Sequence, residues 1–330
     1  MFRPRHRSVN MFLTIDTGTT NTRIYLVDGE TVKDSIKINA GAGDTVKTGS
    51  NQILKESIQN GICRLLSDNT LKEQDICAVF ASGMITSELG LCEVPHVTAP
   101  ATPLCLKEHA KTVLLSDVVS VPITFIPGVK NNTDFKNLAN LNEMDMMRGE
   151  ETELFGLMKL LKVKPPFTAV LPGSHTKFVA VGNEGQILSC RTTLGGELLA
   201  ALSEHTILNN SLPKPLISNI VPECLNAGFE YSRAHGLSDA AFRVRLIHNF
   251  TNLTENERAN FFAGAVLASD IQALGEITPE TKVLVGGSDP LRGVFIHLLK
   301  TYTRCEVIEA SDEAVKLSTV YGVLELFYLE

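Results

Sequence analysis

The sequence predicts an α/β protein of two lobes. Three observations predict it. A unit of strand, tight polar turn and strand occurs twice, at residues 12–27 and 167–181. Helical segments follow each unit. The length, 330 residues, exceeds what one small core needs. No low-complexity linker separates the halves, and the boundary is placed near residue 145, giving an N-terminal lobe at 11–145 and a C-terminal lobe at 146–310.

Taken in order, residues 1–10 are basic and read as a disordered arm, with Met11 as the start of the folded chain. Residues 12–15 form a buried strand, 16–21 a polar turn and 22–27 the returning strand. Asp28-Gly29 is a hairpin signal. Ile53, Leu54, Ile58, Ile62, Leu65 and Leu66 recur at helical spacing. Residues 76–80 make a short strand that runs into Ala81-Ser82-Gly83. The stretch 91–129 carries five prolines and reads as loops and short strands. Residues 149–161 read as a helix with Leu154, Phe155, Met158 and Leu161 on one face, ended by Pro165-Pro166. Strands follow at 167–171, 176–181 and 186–191. Thr254 to Glu257 is a capping box opening a long helix through Ala273. Residues 282–285 form a strand, Gly286-Gly287 a turn, and Asp289-Pro290 the start of a helix. A strand at 305–308 and a final helix from Ser311 complete the chain, the helix returning to the first lobe.

Charge and composition exclude several classes. The net charge is −7, without the basic stripe a nucleic-acid partner calls for. The longest apolar runs fall short of the roughly 20 residues of a membrane span. The N-terminus lacks the apolar core of a signal peptide. The cysteines number seven, widely spaced and without a C-x-x-C pair, which suits small buried thiols in a reducing cytoplasm.

Four segments carry chemistry. The first runs from Asp16 to Arg23. Gly18 permits the turn, Thr19, Thr20 and Asn21 supply donors for phosphate oxygens, Asp16 can hold Mg²⁺, and Arg23 can fork onto a phosphate. Alone, such a turn is also an ordinary polar hairpin. The second, Gly173-Ser-His-Thr-Lys177 after Pro172, is again a turn between apolar strands. Two such turns in one chain argue against coincidence. The third is a strand running into Gly286, Gly287 and Ser288, where flat backbone suits an adenosine. The fourth is Arg148-Gly-Glu-Glu-Thr152 at a helix start, where Glu150 or Glu151 can accept a hydroxyl proton; acidic residues also simply favour helix N-termini.

In order and spacing these segments resemble the actin/hexokinase/Hsp70 ATPase superfamily. The resemblance implies ribonuclease-H-like lobes around an interlobe cleft, with ATP held by both turns and Mg²⁺ by Asp16 and Glu150. Glu150 stands 23 residues before Gly173, where the glycerol and xylulose kinase branch has a Gly-Asp at a helix start. That makes Glu150 the preferred base and Glu151 its rival. A closer resemblance is to the 2-dehydro-3-deoxygalactonokinases. It rests on Gly83-Met-Ile-Thr-Ser87, Ile126-Pro-Gly128, Met147-Arg-Gly-Glu-Glu-Thr152, Pro172 to Lys177, and Arg191 to Glu197. This family implies phosphorylation of a small sugar acid at C6, and adds Gly196 to the nucleotide contacts. Arg148 is then the candidate for the substrate carboxylate, and Met84, Thr86 and Ser87 for the sugar. His175 contacts substrate or phosphate, or is a turn histidine. Thr17 replaces a frequent aromatic, and Thr193-Leu-Gly-Gly196 departs from the family's Met-Thr-Gly. Two other readings stand beside it. One is a kinase of another sugar or sugar acid, such as a gluconate analogue or a ketose; xylulose and glycerol kinases are usually longer. The other is an actin-like ATP switch, which would need a partner-binding domain. The sequence leaves the oligomeric state open; homodimers are common for such folds.

Overall fold

The computed structural model describes residues 11–275, 278 and 281–328. The basic arm expected at residues 1–10 lies outside them. The chain divides into two compact units. The first takes residues up to Lys164, together with Gln186–Ser189 and the chain from Lys316; the second takes Pro165–Gly185 and Cys190–Val315.

The first unit contains β1 (Met11–Thr17), β2 (Thr22–Asp28), β3 (Thr31–Ile38), α1 (Ala42–Thr48), α2 (Gln52–Asp68), β4 (Ile76–Gly83), β5 (Val97–Thr98), α3 (Pro103–His109), β6 (Lys111–Val113), β7 (Ile123–Phe125), β8 (Val129–Lys130), β9 (Met146–Met147) and α4 (Glu150–Leu161). Its main sheet has the order β3-β2-β1-β4-β7-β6. β1 runs antiparallel to β2 and parallel to β4. One face of this sheet presents Leu13, Ile15, Ile24, Leu26 and Val79. They are buried with Leu54, Ile58, Ile62 and Leu65 of α2, the apolar stripe visible in the sequence. Phe12 and Phe80 point to the other face and stack with Phe327 and Tyr328 at the chain's end. β5, β8 and β9 form a small separate sheet.

The second unit contains β10 (Phe167–Leu171), β11 (Thr176–Val181), most of β12 (Ile187–Thr193, its first three residues counted with the first unit), α5 (Gly195–His205), α6 (Pro222–His235), α7 (Leu237–Phe250), α8 (Glu255–Ala273), β13 (Lys282–Val285), α9 (Leu291–Tyr302) and β14 (Glu306–Glu309). The sheet order is β12-β11-β10-β13-β14. Val170, Val283 and Val285 pack with Phe229 of α6, Phe262 and Val266 of α8 and Phe295 of α9. The Thr254 hydroxyl accepts the Glu257 N–H while the Glu257 carboxylate accepts the Thr254 N–H, closing the expected capping box.

The last helix, α10 (Asp312–Phe327), is counted with the first unit from Lys316. Its packing explains why the first unit extends past residue 145. Gly156 of α4 and Gly322 of α10 let the helices touch backbone to backbone. A Cβ on Gly156 would lie 1.7 Å from the Ser318 carbonyl, and one on Gly322 2.0 Å from that of Thr152. α4 is therefore bound to the unit that holds α10. Two smaller differences from the sequence reading have local causes. The proline-rich stretch 91–129 contains a helix, α3, because Thr102 caps it and Pro103 sits in its first turn. α9 begins at Leu291, a residue later than expected, with the Asp289 carboxylate accepting the Gly293 N–H.

Candidate active site

In the first unit, the ends of β1, β2 and β4 and the start of α4 assemble an acidic centre. Asp16 is paired in register with Arg23 on β2 and with Ser82 on β4, so the three side chains share one face of the sheet. The turn beyond Asp16 is closed by the Gly18 N–H donating to the Asn21 carbonyl at 2.9 Å. Its carbonyls are occupied: Gly18 and Thr19 accept the N–H groups of Ala42 and Gly43 at 3.1 and 2.8 Å. Thr19 and Thr20 are exposed and Asn21 is half-buried. The sequence-predicted residues Asp16, Gly18, Thr19, Thr20, Asn21 and Arg23 thus occupy one strand tip.

Glu150 and Glu151 reach this tip through two glycines. Gly83, at the end of β4, has φ +82, and Gly149, before α4, has φ +110. A Cβ on Gly149 would stand 2.9 Å from the Gly83 Cα, and one on Gly83 2.4 Å from the Thr17 carbonyl. No side chain larger than hydrogen allows that approach. Asp16 is half-buried, and burial pushes its carboxyl up to about 6; Arg23 opposes the rise and Glu150 adds to it.

The two glutamates differ. Glu151 is 0% exposed, and both its carboxylate oxygens accept the Gly149 N–H, at 2.8 and 2.9 Å. Burial, reinforced by Glu150, raises its pKa to about 8. Glu150 is half-buried, and its Oε2 accepts the Arg148 N–H at 2.9 Å. One carboxyl is sealed in and held neutral around pH 7; its neighbour is open to solvent.

Arg148, expected to meet the substrate carboxylate, is engaged by the protein. Nη1 donates to the carbonyl and hydroxyl of Thr86, both at 2.7 Å. Nη2 donates to the Val94 carbonyl at 3.0 Å and lies 3.1 Å from His96 Nδ1. Thr86 is itself fully buried and donates to the Gly83 carbonyl. Met84 and Ser87 are half-buried on the same turn, with the Ser87 hydroxyl donating to the Met84 carbonyl at 2.7 Å. Arg148 is therefore a clamp on the segment that presents Met84 and Ser87.

The second unit holds a cradle made of backbone. The turn from Pro172 to His175 joins β10 to β11, and two glycine segments close on it. A Cβ on Gly196 would lie 2.0 Å from the Gly173 carbonyl, and the Glu197 N–H donates to the Ser174 carbonyl at 2.8 Å. A Cβ on Gly287 would lie 2.4 Å from the Pro172 carbonyl, while the Gly286 N–H donates to Val170. Gly173, Ser174, Gly196, Gly286 and Gly287 are thereby brought together, with Ser288 exposed beside them. Leu194 at the cap of α5 offers no side-chain acceptor, which suits the helix start to an anion. His175 Nε2 pairs with Glu197 at 2.9 Å, and the buried Lys177 donates to Thr192 at 2.8 Å. The sequence reading did not find the His175–Glu197 pair, His96, or the buried Asp270 near Gly195. Only Asp270 left a signal: a lone acid at the end of the apolar run 261–268.

The strand tip of one unit and the backbone cradle of the other sit on a fold shared with known nucleotide-dependent proteins. A structure from Sinorhizobium meliloti described as a candidate 2-dehydro-3-deoxygalactonokinase superposes with a TM-score of 0.75 at 19% identity, covering 97% of this chain and 98% of that one. The activator of 2-hydroxyisocaproyl-CoA dehydratase from Clostridium difficile, solved with ADPNP, gives a TM-score of 0.50 at 13% identity, with 96% and 93% covered. The fold is that of the actin/hexokinase-like ATPases, the class to which many sugar kinases belong. Within it the chain belongs to the 2-keto-3-deoxy-galactonokinase family, whose model matches residues 16–319. A relative, the 2-dehydro-3-deoxygalactonokinase of Escherichia coli (strain K12), is 26% identical over 268 residues, 80% of either chain. The protein is a phosphotransferase of carbohydrate metabolism. No described helix is long and apolar enough to cross a membrane.

Proposed function

We propose that the chain transfers the γ-phosphoryl group of ATP to the C6 hydroxyl of 2-dehydro-3-deoxy-D-galactonate, a step of galactonate catabolism in the cytoplasm. The family and the name of the Escherichia coli relative support the substrate. The ADPNP in the Clostridium difficile activator supports ATP. The C6 oxygen forms the new bond to phosphorus, and the bond from phosphorus to the β–γ bridging oxygen breaks, leaving ADP. The hydroxyl proton passes to Glu150.

One observation carries the role of Glu150: of the two adjacent glutamates, it alone is both open and beside Asp16. Glu151, buried and largely protonated near neutral pH, cannot accept a proton there. Its two bonds from the Gly149 N–H instead fix the start of α4. Within the second unit the cradle around 172–177 binds phosphate and Gly286 to Ser288 the adenosine; within the first, the turn at 16–23 offers the donors of a phosphate-binding turn. Mg²⁺ fits the donor set, because burial and the neighbouring Glu150 push the Asp16 carboxyl up and a divalent cation offsets that. It would be held by these carboxylates and would neutralise charge on the phosphate oxygens. Among the described residues no group of three or more His, Cys, Asp or Glu could hold a metal; Mg²⁺ sites often use one or two carboxylates with the substrate's own phosphates. Arg148 supports the sugar side through Thr86 and His96.

Coupled measurement of ADP release tests this. Glu150→Gln is expected to lower kcat about 10²–10⁴-fold with little change in KM, and Glu151→Gln by under about tenfold. A Glu150→Gln enzyme with near-parental kcat would remove the base. ADP release indifferent to the sugar acid would remove the substrate.

A further inference from the structure

The cradle in the second unit rests against a buried carboxyl that the reaction above does not use. Asp270 lies on α8 and is 2% exposed, with Leu267, Ala268 and Ile271 buried around it. It reaches three segments at once. Thr176 begins β11, immediately after the turn; Thr193 ends β12; Gly195 opens α5. The hydroxyls of Thr193 and Thr176 lie beside the carboxyl and hold its pKa down against burial, the dominant influence, which pushes it up to about 6. Gly195 passes so close that a Cβ there would stand 2.2 Å from Oδ2. Yet Oδ2 and both threonine hydroxyls lack a well-formed hydrogen bond among the described residues. The neighbouring charged groups have partners of their own, Lys177 of β11 donating to Thr192 at 2.8 Å. Glu197 is exposed and paired with His175, and Arg191 donates to the Ala273 carbonyl at 3.4 Å.

A carboxylate in this setting is a poor device for stability. Burial without a counter-charge disfavours the ionised form, and a neutral side chain of the same shape would serve the core better. Its place is informative in another way, since it sits where the two walls of the cradle and the first turn of α5 converge. We propose that Asp270 is a positioning residue: through Thr176, Thr193 and Gly195 it fixes the spacing of the turn at 172–177 relative to the first amides of α5, so that both meet one phosphate. This rests on the reading of that turn as the nucleotide phosphate site.

The test compares Asp270→Asn, the pair Thr176→Val with Thr193→Val, and Gly196→Ala, by calorimetric ATP binding, steady-state kinetics and thermal melting. Asp270→Asn is expected to weaken ATP binding about tenfold, as the turn and the start of α5 lose their common anchor. Its kcat at saturating ATP and its KM for the sugar acid stay within about twofold, and its Tm at pH 7.5 is no lower than the parent's. The paired threonine variant shows a similar loss, and adding Asp270→Asn to it brings little more, as one shared network requires. Unchanged ATP binding in Asp270→Asn, with binding lost in Gly196→Ala, overturns the positioning role and leaves the phosphate site standing. Parental ATP binding in Gly196→Ala removes the phosphate site and the proposal with it. A lowered Tm in Asp270→Asn without a change in ATP affinity marks a structural role and also overturns the proposal.

Discussion

The two units present opposite chemistry. The first gathers side chains: Asp16, Arg23, Glu150 and Glu151 converge where β1, β2 and α4 meet. The second gathers backbone: Gly173, Gly196 and Gly287 lie against one another's main chains. A phosphoryl-transfer enzyme needs both kinds of surface, one to move protons and manage metal charge, the other to bind phosphate by N–H groups. The difference suggests that substitutions in the first unit fall on turnover and those in the second on nucleotide affinity.

Gly83→Ala challenges that division hardest. Its Cβ would push on the Thr17 carbonyl and shift Asp16 relative to α4. kcat is expected to fall about 10²-fold, the effect of misplacing reacting groups by an ångström, with ATP binding by calorimetry little changed. Lost ATP binding with intact kcat would break the comparison. Gly196→Ala is the counterpart. Forcing the start of α5 off the Gly173 carbonyl should weaken ATP binding about 10–100-fold through lost charge-assisted hydrogen bonds. Next is Gly322→Ala, whose Cβ would enter the α4–α10 crossing at the Thr152 carbonyl. Urea unfolding should register a loss of about 1–3 kcal/mol, typical of overpacking, with ATP affinity of the folded protein retained. The smallest effect concerns pH. Burial raises the Asp270 carboxyl from 3.8 to about 6, so the fold binds this proton more tightly than the unfolded chain does. Its contribution to stability is therefore greatest at low pH and declines as pH rises toward 6. Asp270→Asn should gain a few degrees in Tm on the parent between pH 4.5 and 7; equal slopes would show that the carboxyl is ordinary.

The contrast also explains what the sequence made legible. The strand tip was readable because Asp16, Gly18 and Arg23 are neighbours along one turn, and the local alternation of apolar and polar residues marks the strands that carry it. The pairing of Gly83 with Gly149 joins residues 66 positions apart, and periodicity says nothing about such meetings. Arg148 is the instructive case. A basic residue beside two acids invites a ligand role, but its fork fits three carbonyl and hydroxyl oxygens of its own chain. The boundary at 145 was placed between two repeated strand–turn–strand units, whereas α4 belongs with α10 because two glycines permit contact. The choice of Glu150 over Glu151 needed burial, which one-residue spacing cannot supply.

The Gly156–Gly322 crossing also bears on the order of events during synthesis. Residues 11–164 emerge from the ribosome long before Gly322, with the whole second unit made in the interval. Until then α4 has a bare seam along Thr152 and Gly156, and the start of the helix bearing Glu150 lacks its support. A chain ending ahead of residue 322 keeps Asp16, Glu150 and Glu151 but lacks the Gly322 backbone against which Thr152 of α4 packs.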